Sequence, residues 1–478
     1  MIKHTKIVCT LGPASGEVET IEKMVRGGMN VARLNFSHGT HENHAEMIKN
    51  IREVEKRTGE PVAVLQDLQG PKIRAGDLPE EGVELKKDEE VLFSTDLKDK
   101  DAIPIGYEKL HEFVKKGEIM LLDDAKMEVK ILEVKGRKIK AKVVVGGTLT
   151  AHKGINIPQS DLSDLQVFTS QDKENVRFGV EHGVDMIALS FVMSPDNILD
   201  LRYHIKKVEK ELGITPEQPI LIIAKIEKPQ AVKHIKEIIE VVDGIMVARG
   251  DLGIETPAEE VPLVQKKLID IAIEYAKPVI VATQMLDSMQ HNPRPTRAEV
   301  SDVSNAVIDH TDAVMLSNET AVGEYPVETV ETMARIISET ENSHYDDMAF
   351  REPKNKFHKI DDTISGLSRL VAEKIDAKLI LAASISGDTG RLISRYRPEF
   401  PIVIAATTKR VQRQLNLSWG VEPFILQPCN SIEELVERSL VYLKKQKIVK
   451  TNDNIIVVAG EPVGHSGHVN MLEVREVK

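Results

Sequence analysis

Apolar residues follow two rhythms along this chain. Short continuous runs at residues 6–12 (KIVCTLG), 30–37 (NVARLNFS) and 61–67 (PVAVLQD) are bounded by Gly or polar residues. Between them apolar residues fall at helical spacing, as Val18, Ile21, Met24 and Val25 do before Gly27 and Gly28. Continuous runs predict strands buried on both faces, and their alternation with helices predicts a parallel sheet of βα units. The rhythm resumes after residue 158. Strands are expected at 185–192, 220–227, 243–251, 278–285 and 312–320, with helices at 172–182, 197–212, 228–241, 262–275 and 297–309. Eight βα units over 1–70 and 158–343 match the ~250 residues typical of a (β/α)₈ barrel. Strand count alone leaves an open doubly wound sheet as the alternative.

The pattern breaks twice. Residues 71–157 show period-two alternation, for example Lys138, Ile139, Lys140, Ala141, with strands at 118–122, 128–134 and 138–145 and a short helix near 107–116. Lys135-Gly136-Arg137 reads as a hairpin turn. This segment is a β-rich insertion with one wet face. Residues 344–361, with Pro353, read as a linker. A third unit, 362–478, is an α/β layer with a helix at 363–374, strands at 379–386, 401–407, 421–426 and 454–460, and a final edge strand in VNMLEVREV.

Polar residues collect where the barrel strands end, the face on which such barrels carry their chemistry. In ILIIAKIE (220–227), alternation places Lys225 and Glu227 on one face. For that strand alone a structural ion pair and half of an active site are both open. Its sisters supply Arg33, Asn35, Ser37 and His38; Asp67, Lys72 and Arg74; Ser190; Arg249, Gly250 and Asp251; Thr283 and Gln284. Glu227 and Asp251 form a plausible oxygen pair for Mg²⁺ or Mn²⁺. Arg33, Lys225 and Arg74 suit phosphoryl oxygens, and Gly250 admits close backbone approach. Metal plus cations is the equipment of phosphoryl transfer. No Walker A or GxGxxG pattern occurs, so a nucleotide is held another way.

Blander readings compete with each assignment. His38, His41 and His44 have a spacing that invites a metal but open a wet helix. Lys225 could form a Schiff base. Arg249 could orient Glu227 without touching substrate. Ser317 and Glu319 read as hydrogen bonders that close the barrel, and Cys9 and Cys429 as core residues.

Composition narrows the class. The chain has 478 residues, 41% hydrophobic and 29% charged, with a formal charge of −12. That balance argues against a nucleic-acid or anionic-membrane binder. Two distant cysteines build no disulfide framework, and no 18-residue apolar run or signal-peptide core occurs, so a cytoplasmic protein is expected.

LIIAKIEKPQAV, MVARGDLGIE, VATQMLDSM with PRPTRAEVSDVSNAV, NVARLNFSHG and LQGPKIR, with KGINIP and SGDTGRLISRYRP, resemble the pyruvate kinase family across essentially the whole chain. The resemblance implies phosphoryl transfer from phosphoenolpyruvate to ADP, giving pyruvate and ATP, the last step of glycolysis. It implies a TIM barrel with an inserted small β-barrel lid at 71–157 and a C-terminal effector domain. In that frame Lys225, Thr283 and Arg33 are catalytic, and Gly250 and Asp251 join them in binding substrate. Glu227 and Asp251 hold the divalent metal, while Asn35, Ser37, His38, Arg74 and Lys153 approach ADP. Ser384, Ser386, Thr389 and Ser466 face a possible sugar-phosphate or nucleotide effector, and the assembly is a homotetramer. Two departures stand out. Many members bind K⁺ at positions matching Asn35, Ser37, Asp67 and a threonine carbonyl; this chain has Leu68 for that threonine and Lys72 for a glutamate. An ammonium there would substitute for the ion, so K⁺ independence is expected. Asn318 replaces a smaller or acidic residue, with little expected effect.

Overall fold

The computed structural model describes residues 3–160, 165–352, 359–460 and 469–478. Eight strands close into a parallel barrel: β1 (Lys6–Leu11), β2 (Val31–Asn35), β3 (Ala63–Asp67), β4 (Met186–Leu189), β5 (Leu221–Ile226), β6 (Gly244–Ala248), β7 (Val279–Ala282) and β8 (Ala313–Leu316). β8 returns to β1, with Lys6 opposite Ala313, so the open sheet is excluded. The two faces of each strand do different work. One cluster packs strands against the surrounding helices, while Val8, Val31, Leu65, Met186, Ile223 and Met246 fill the barrel interior. Two residues further along the same interior rows stand Thr10, Arg33, Asp67 and Lys225, and Ser190 stands two beyond Ala188. Period two therefore turns an apolar plug into a polar mouth within one step of each strand.

Four barrel strands stop three or four residues short of their expected ends, β4 at Leu189 and β7 at Ala282 among them. β6 ends at Ala248 and β8 at Leu316, because the helices Arg249–Glu255 and Asn318–Ala321 start at once. Arg249, Gly250 and Asp251 thus sit on a helix, not a strand. The helix expected at 228–241 is two, Pro229–Lys233 and Ile235–Val241, meeting at His234.

The insertion leaves the barrel through a two-strand neck. Ile155 N donates to Ile73 O (2.9 Å), Ala75 N donates to Lys153 O (2.9 Å), and Arg74 pairs with Gly154. Above it lie a six-stranded sheet and a two-stranded ribbon, Val83–Leu85 with Gly147–Leu149. The small barrel therefore consists of two ladders rather than one continuous one. Its helix is a single turn, Leu110–Phe113.

The C-terminal unit is a five-stranded sheet. Val421–Ile425, Ile402–Ala406, Ile380–Ser384 and Asn454–Ala459 run parallel, and Met471–Glu476 adds an antiparallel edge. Its first helix, Lys359–Ile375, begins inside the stretch read as linker, and Arg369 donates to Met348 O (2.5 Å). This unit floors the barrel. Leu417 joins the interior cluster, and Lys6 Nζ donates to Val421 O (2.8 Å). Arg397 pairs with Asp312 (2.9 Å), and Arg413 grips both oxygens of Glu55 (2.8 and 2.6 Å). Cys9 is fully buried, but Cys429 is only half-buried at the edge of the C-terminal core. No helix among the described residues is long and apolar enough to cross a membrane.

Candidate active site

The centre is built from five strand ends, β1 to β5. Asp67, 1% exposed, receives Arg33 Nε on one oxygen (2.7 Å) and faces Lys225 Nζ with the other (3.2 Å). Arg33 Nη1 donates to Thr10 Oγ1 (2.8 Å). Lys225 Nζ donates to Ser190 Oγ (2.7 Å) and lies 3.0 Å from Glu227 Oε1. Ser190 Oγ in turn donates to Leu68 O (2.7 Å). Lys225 and Glu227 are thus drawn into one network with Arg33 and Asp67.

The network sets its own protonation. Burial works against the Lys225 ammonium, but Asp67 and then Glu227 more than offset it, holding the lysine above its ordinary range. A charged lysine of that kind is no Schiff-base nucleophile at neutral pH. Burial likewise opposes ionisation of Asp67, yet Lys225 and Arg33 outweigh it and keep the carboxyl below its usual range. Glu227 differs. Burial pushes it up, Lys225 only partly compensates, and neighbouring Asp251 pushes it up further.

Glu227 also has chemistry to spare. Phe191 N donates to its Oε2 (2.7 Å), while the buried Oε1 has only the Lys225 ammonium beside it, 3.0 Å away. A buried carboxylate oxygen partnered by one ammonium alone, beside a second carboxylate, suits a hard cation. Among the described residues no group of three His, Cys, Asp or Glu could hold a metal. A cation here would rest on two carboxylates and complete its shell with water and substrate, which is the habit of Mg²⁺.

The mouth is strained. Thr283 (φ +74°), Gln284 (φ +54°) and Phe191 (φ +56°) occupy the left-handed region, which costs roughly 1–3 kcal/mol each. Thr283 is pinned from two sides. Gly250 N donates to its Oγ1 (2.7 Å), and Arg249 Nη2 donates to its carbonyl (2.7 Å). Accepting from Gly250 leaves the Thr283 hydroxyl proton free to be given outward. Arg249 is braced by Asp302 (2.7 Å). It is structural, as one reading had it, but its partners are Asp302 and Thr283 rather than Glu227.

The remaining expected residues scatter. Arg74 donates to His152 O (2.9 Å) and Lys153 pairs with Asp123 (3.0 Å), both within the insertion. Lys72 is exposed and borders two spaces. One is a crevice shared with Asp251, Phe191 and Lys228; the other is a cleft of about 790 Å³ with Tyr107, Lys109 and Thr169. Asn35 Oδ1 accepts from Ser37 N (3.2 Å). His38, His41 and His44 do not converge. His44 Nε2 meets His38 O (3.0 Å) and its ring stacks on Phe36, while His41 Nε2 meets Asn175 (2.8 Å). Glu319 accepts from Ser317 N (2.7 Å) and Leu286 N (3.2 Å), the closing role expected of it. In the C-terminal unit Ser384 Oγ accepts from Gly387 N (2.9 Å) and Ser386 Oγ donates to Asp388 (2.6 Å); Ser466 lies outside the described residues.

Sequence reasoning passed over Thr10, Lys228, Glu255 and Asp302. Thr10 had a signal, since it shares the interior row of Val8. Asp302 had none, being one acid on an ordinary helix.

A closed barrel whose mouth sets an ammonium and a guanidinium against three carboxylates defines a barrel phosphotransferase. The chain matches the families described as pyruvate kinase, barrel domain, over residues 2–330, and pyruvate kinase, alpha/beta domain, over 362–475. It is 42% identical to a pyruvate kinase of Geobacillus stearothermophilus, across all of this chain and 81% of that one. It is 40% identical to one of Clostridium perfringens, with both chains covered completely. A crystal structure of a pyruvate kinase from Cryptosporidium parvum superposes with a TM-score of 0.92 at 33% identity, covering 100% of this chain and 96% of that one. The chain belongs to the pyruvate kinase family.

Proposed function

We propose that this protein transfers the phosphoryl group of phosphoenolpyruvate to ADP. The barrel residues 1–70 and 158–343 perform the chemistry under the insertion 71–157. The observation that carries the reading is the buried Arg33–Asp67–Lys225–Glu227 network of alternating charges at the barrel mouth. Glu227 and Asp251 hold Mg²⁺ or Mn²⁺, which when bound supplies charge neutralisation at the transferring phosphoryl. Arg33 and Lys225 meet the phosphoryl oxygens, and Asp67 fixes the aim of both. The amides beginning at Gly250-Asp251 and the Thr283 hydroxyl take the substrate carboxylate. Thr283 is placed to give a proton, directly or through water, to the enolate carbon. Asn35, Ser37, His38, Arg74 and Lys153 approach ADP. Pyruvate and ATP formed together from phosphoenolpyruvate, ADP and Mg²⁺ are the expected products; their absence in a coupled assay with effectors supplied would sink the proposal.

Arg249→Lys is expected to keep the fold and lower kcat/KM for phosphoenolpyruvate by tenfold or more, because one ammonium cannot reach both Asp302 and the Thr283 carbonyl. Steady-state kinetics beside a thermal melt would check it. Unchanged kinetics would mean that the strained Thr283 needs no such support.

Occupancy at the matching positions supports K⁺ independence. Asp67 is shared by two cations, Leu68 O already accepts Ser190 Oγ, and Asn35 Oδ1 accepts Ser37 N. Lys72 adds a further positive charge at the mouth. The rate in K⁺-free buffer should therefore change little when K⁺ is added, and strong activation would refute this. The cytoplasmic homotetramer typical of the family is consistent with exposed Leu263, Ile360 and Leu367. A phosphate effector at Ser384, Ser386, Thr389 and Ser466 would have to exchange the loop's internal bonds for its own.

A further inference from the structure

Lys228 follows the carboxylate Glu227 directly, and Glu255 ends the helix that carries Asp251. Asp251 and Glu255 stand four residues apart on one helical face. Lys228 and Glu255 are both buried, at 6% exposure each, and they form a close ion pair through Glu255 Oε1. The same oxygen accepts Asn156 Nδ2 (2.8 Å). The Lys228 ammonium lies 5.8 Å over the Phe191 ring, and the Phe191 amide is the one that holds Glu227. This triad, with Lys228 and Glu255 buried and Asn156 half-buried, thus touches both elements that bear Glu227 and Asp251.

Its third member belongs to the insertion. Asn156 ends the short strand Ile155–Asn156, which pairs with Leu121–Leu122 of the insertion, and the residues just before it, Lys153–Gly154–Ile155, bond to Ile73–Arg74–Ala75 in the neck. Lys72, Arg74 and Lys153 all lie in this neck. Its position fixes where those cations stand relative to Asp251. An ion pair buried this well costs desolvation that an apolar pair would avoid, and removing one partner leaves an uncompensated charge.

We infer that Asn156, Glu255 and Lys228 are positioning residues that lock the neck to the Asp251 helix and so hold its cations in register for the nucleotide. This rests on the phosphotransferase reading above. None of the three needs to touch the reacting atoms. Lys228 neutralises Glu255, and the neutralised carboxylate can then accept the neutral amide of Asn156. A change at Asn156 should act on ADP more than on phosphoenolpyruvate, whose contacts Arg33, Lys225, Thr283 and the Gly250-Asp251 amides all belong to the barrel.

The test uses Asn156→Asp, which keeps the shape and places two carboxylates against one ammonium. The expected result is a KM for ADP raised at least fivefold, with the KM for phosphoenolpyruvate changed less than twofold. Hydrogen–deuterium exchange at residues 73–75 and 153–156 should rise in the same variant. The double variant Asn156→Asp/Glu255→Gln restores one donor and one acceptor and should bring both readouts back toward wild type, a coupling that independent sites do not show. An unchanged KM for ADP in an active enzyme, unchanged neck exchange, or a double variant no better than the single one would overturn the inference. If the wild-type protein makes no ATP, the functional reading fails first, and the exchange data still judge the lock.

Discussion

Lys225→Met is expected to reduce kcat by roughly 10³-fold or more, the scale on which preorganised charge at a transferring group is usually felt. The lysine bridges Asp67 (3.2 Å) and Glu227 (3.0 Å). Arg33 is committed to Asp67 and Thr10. Methionine keeps much of the volume, so the interior row of Leu221 and Ile223 should pack as before. The loss would fall on electrostatics. Asp67 keeps Arg33, but Glu227 loses its ammonium and retains only the Phe191 amide. Metal-free protein should melt earlier, and Mn²⁺ should restore part of the difference while binding at least as tightly as in wild type. Single-turnover kinetics, with Mn²⁺ binding followed by paramagnetic resonance, would decide. Normal turnover would refute the role, and lost Mn²⁺ binding would show that the lysine had been holding the site together.

Glu227→Gln is expected to do the reverse. Divalent-metal affinity should fall on the order of 100-fold or more, and turnover with it, while the metal-free melting temperature holds or rises. The reasoning is one of sign. Burial and Asp251 raise the Glu227 carboxyl above its ordinary range, so the folded protein takes up its proton at higher pH than the unfolded chain does. Ionised Glu227 is therefore a cost to metal-free folding at neutral pH, relieved as pH falls through the raised range. Metal competes with that proton, so its affinity should weaken over the same fall in pH. In the glutamine variant this pH dependence should flatten. Persistence of the full dependence would assign the titrating group elsewhere.

The barrel and its mouth were legible because both depend on local rules. Period two placed Lys225 and Glu227 together, and interior rows that begin with Val8, Val31 and Leu65 end in Thr10, Arg33 and Asp67. What stayed hidden depends on distance in sequence. Nothing in RGDLGIE says that its last glutamate meets a lysine 27 positions earlier and an asparagine 99 positions earlier. Arg249 could be recognised as structural, but its partner Asp302 is set by how two helices pack. Strand ends were overrun at 248 and 316 because backbone direction turns before hydrophobicity does.

The floor of the barrel carries a consequence for how the protein is made. All eight strands have been synthesised once Leu316 is added, yet Leu417 arrives roughly a hundred residues later, about 5–20 s at ordinary elongation rates. Through that interval the nascent barrel has an apolar interior open at the bottom and an unpartnered Lys6 at its rim. It is during translation, before the last domain seats, that this chain has most need of a chaperone.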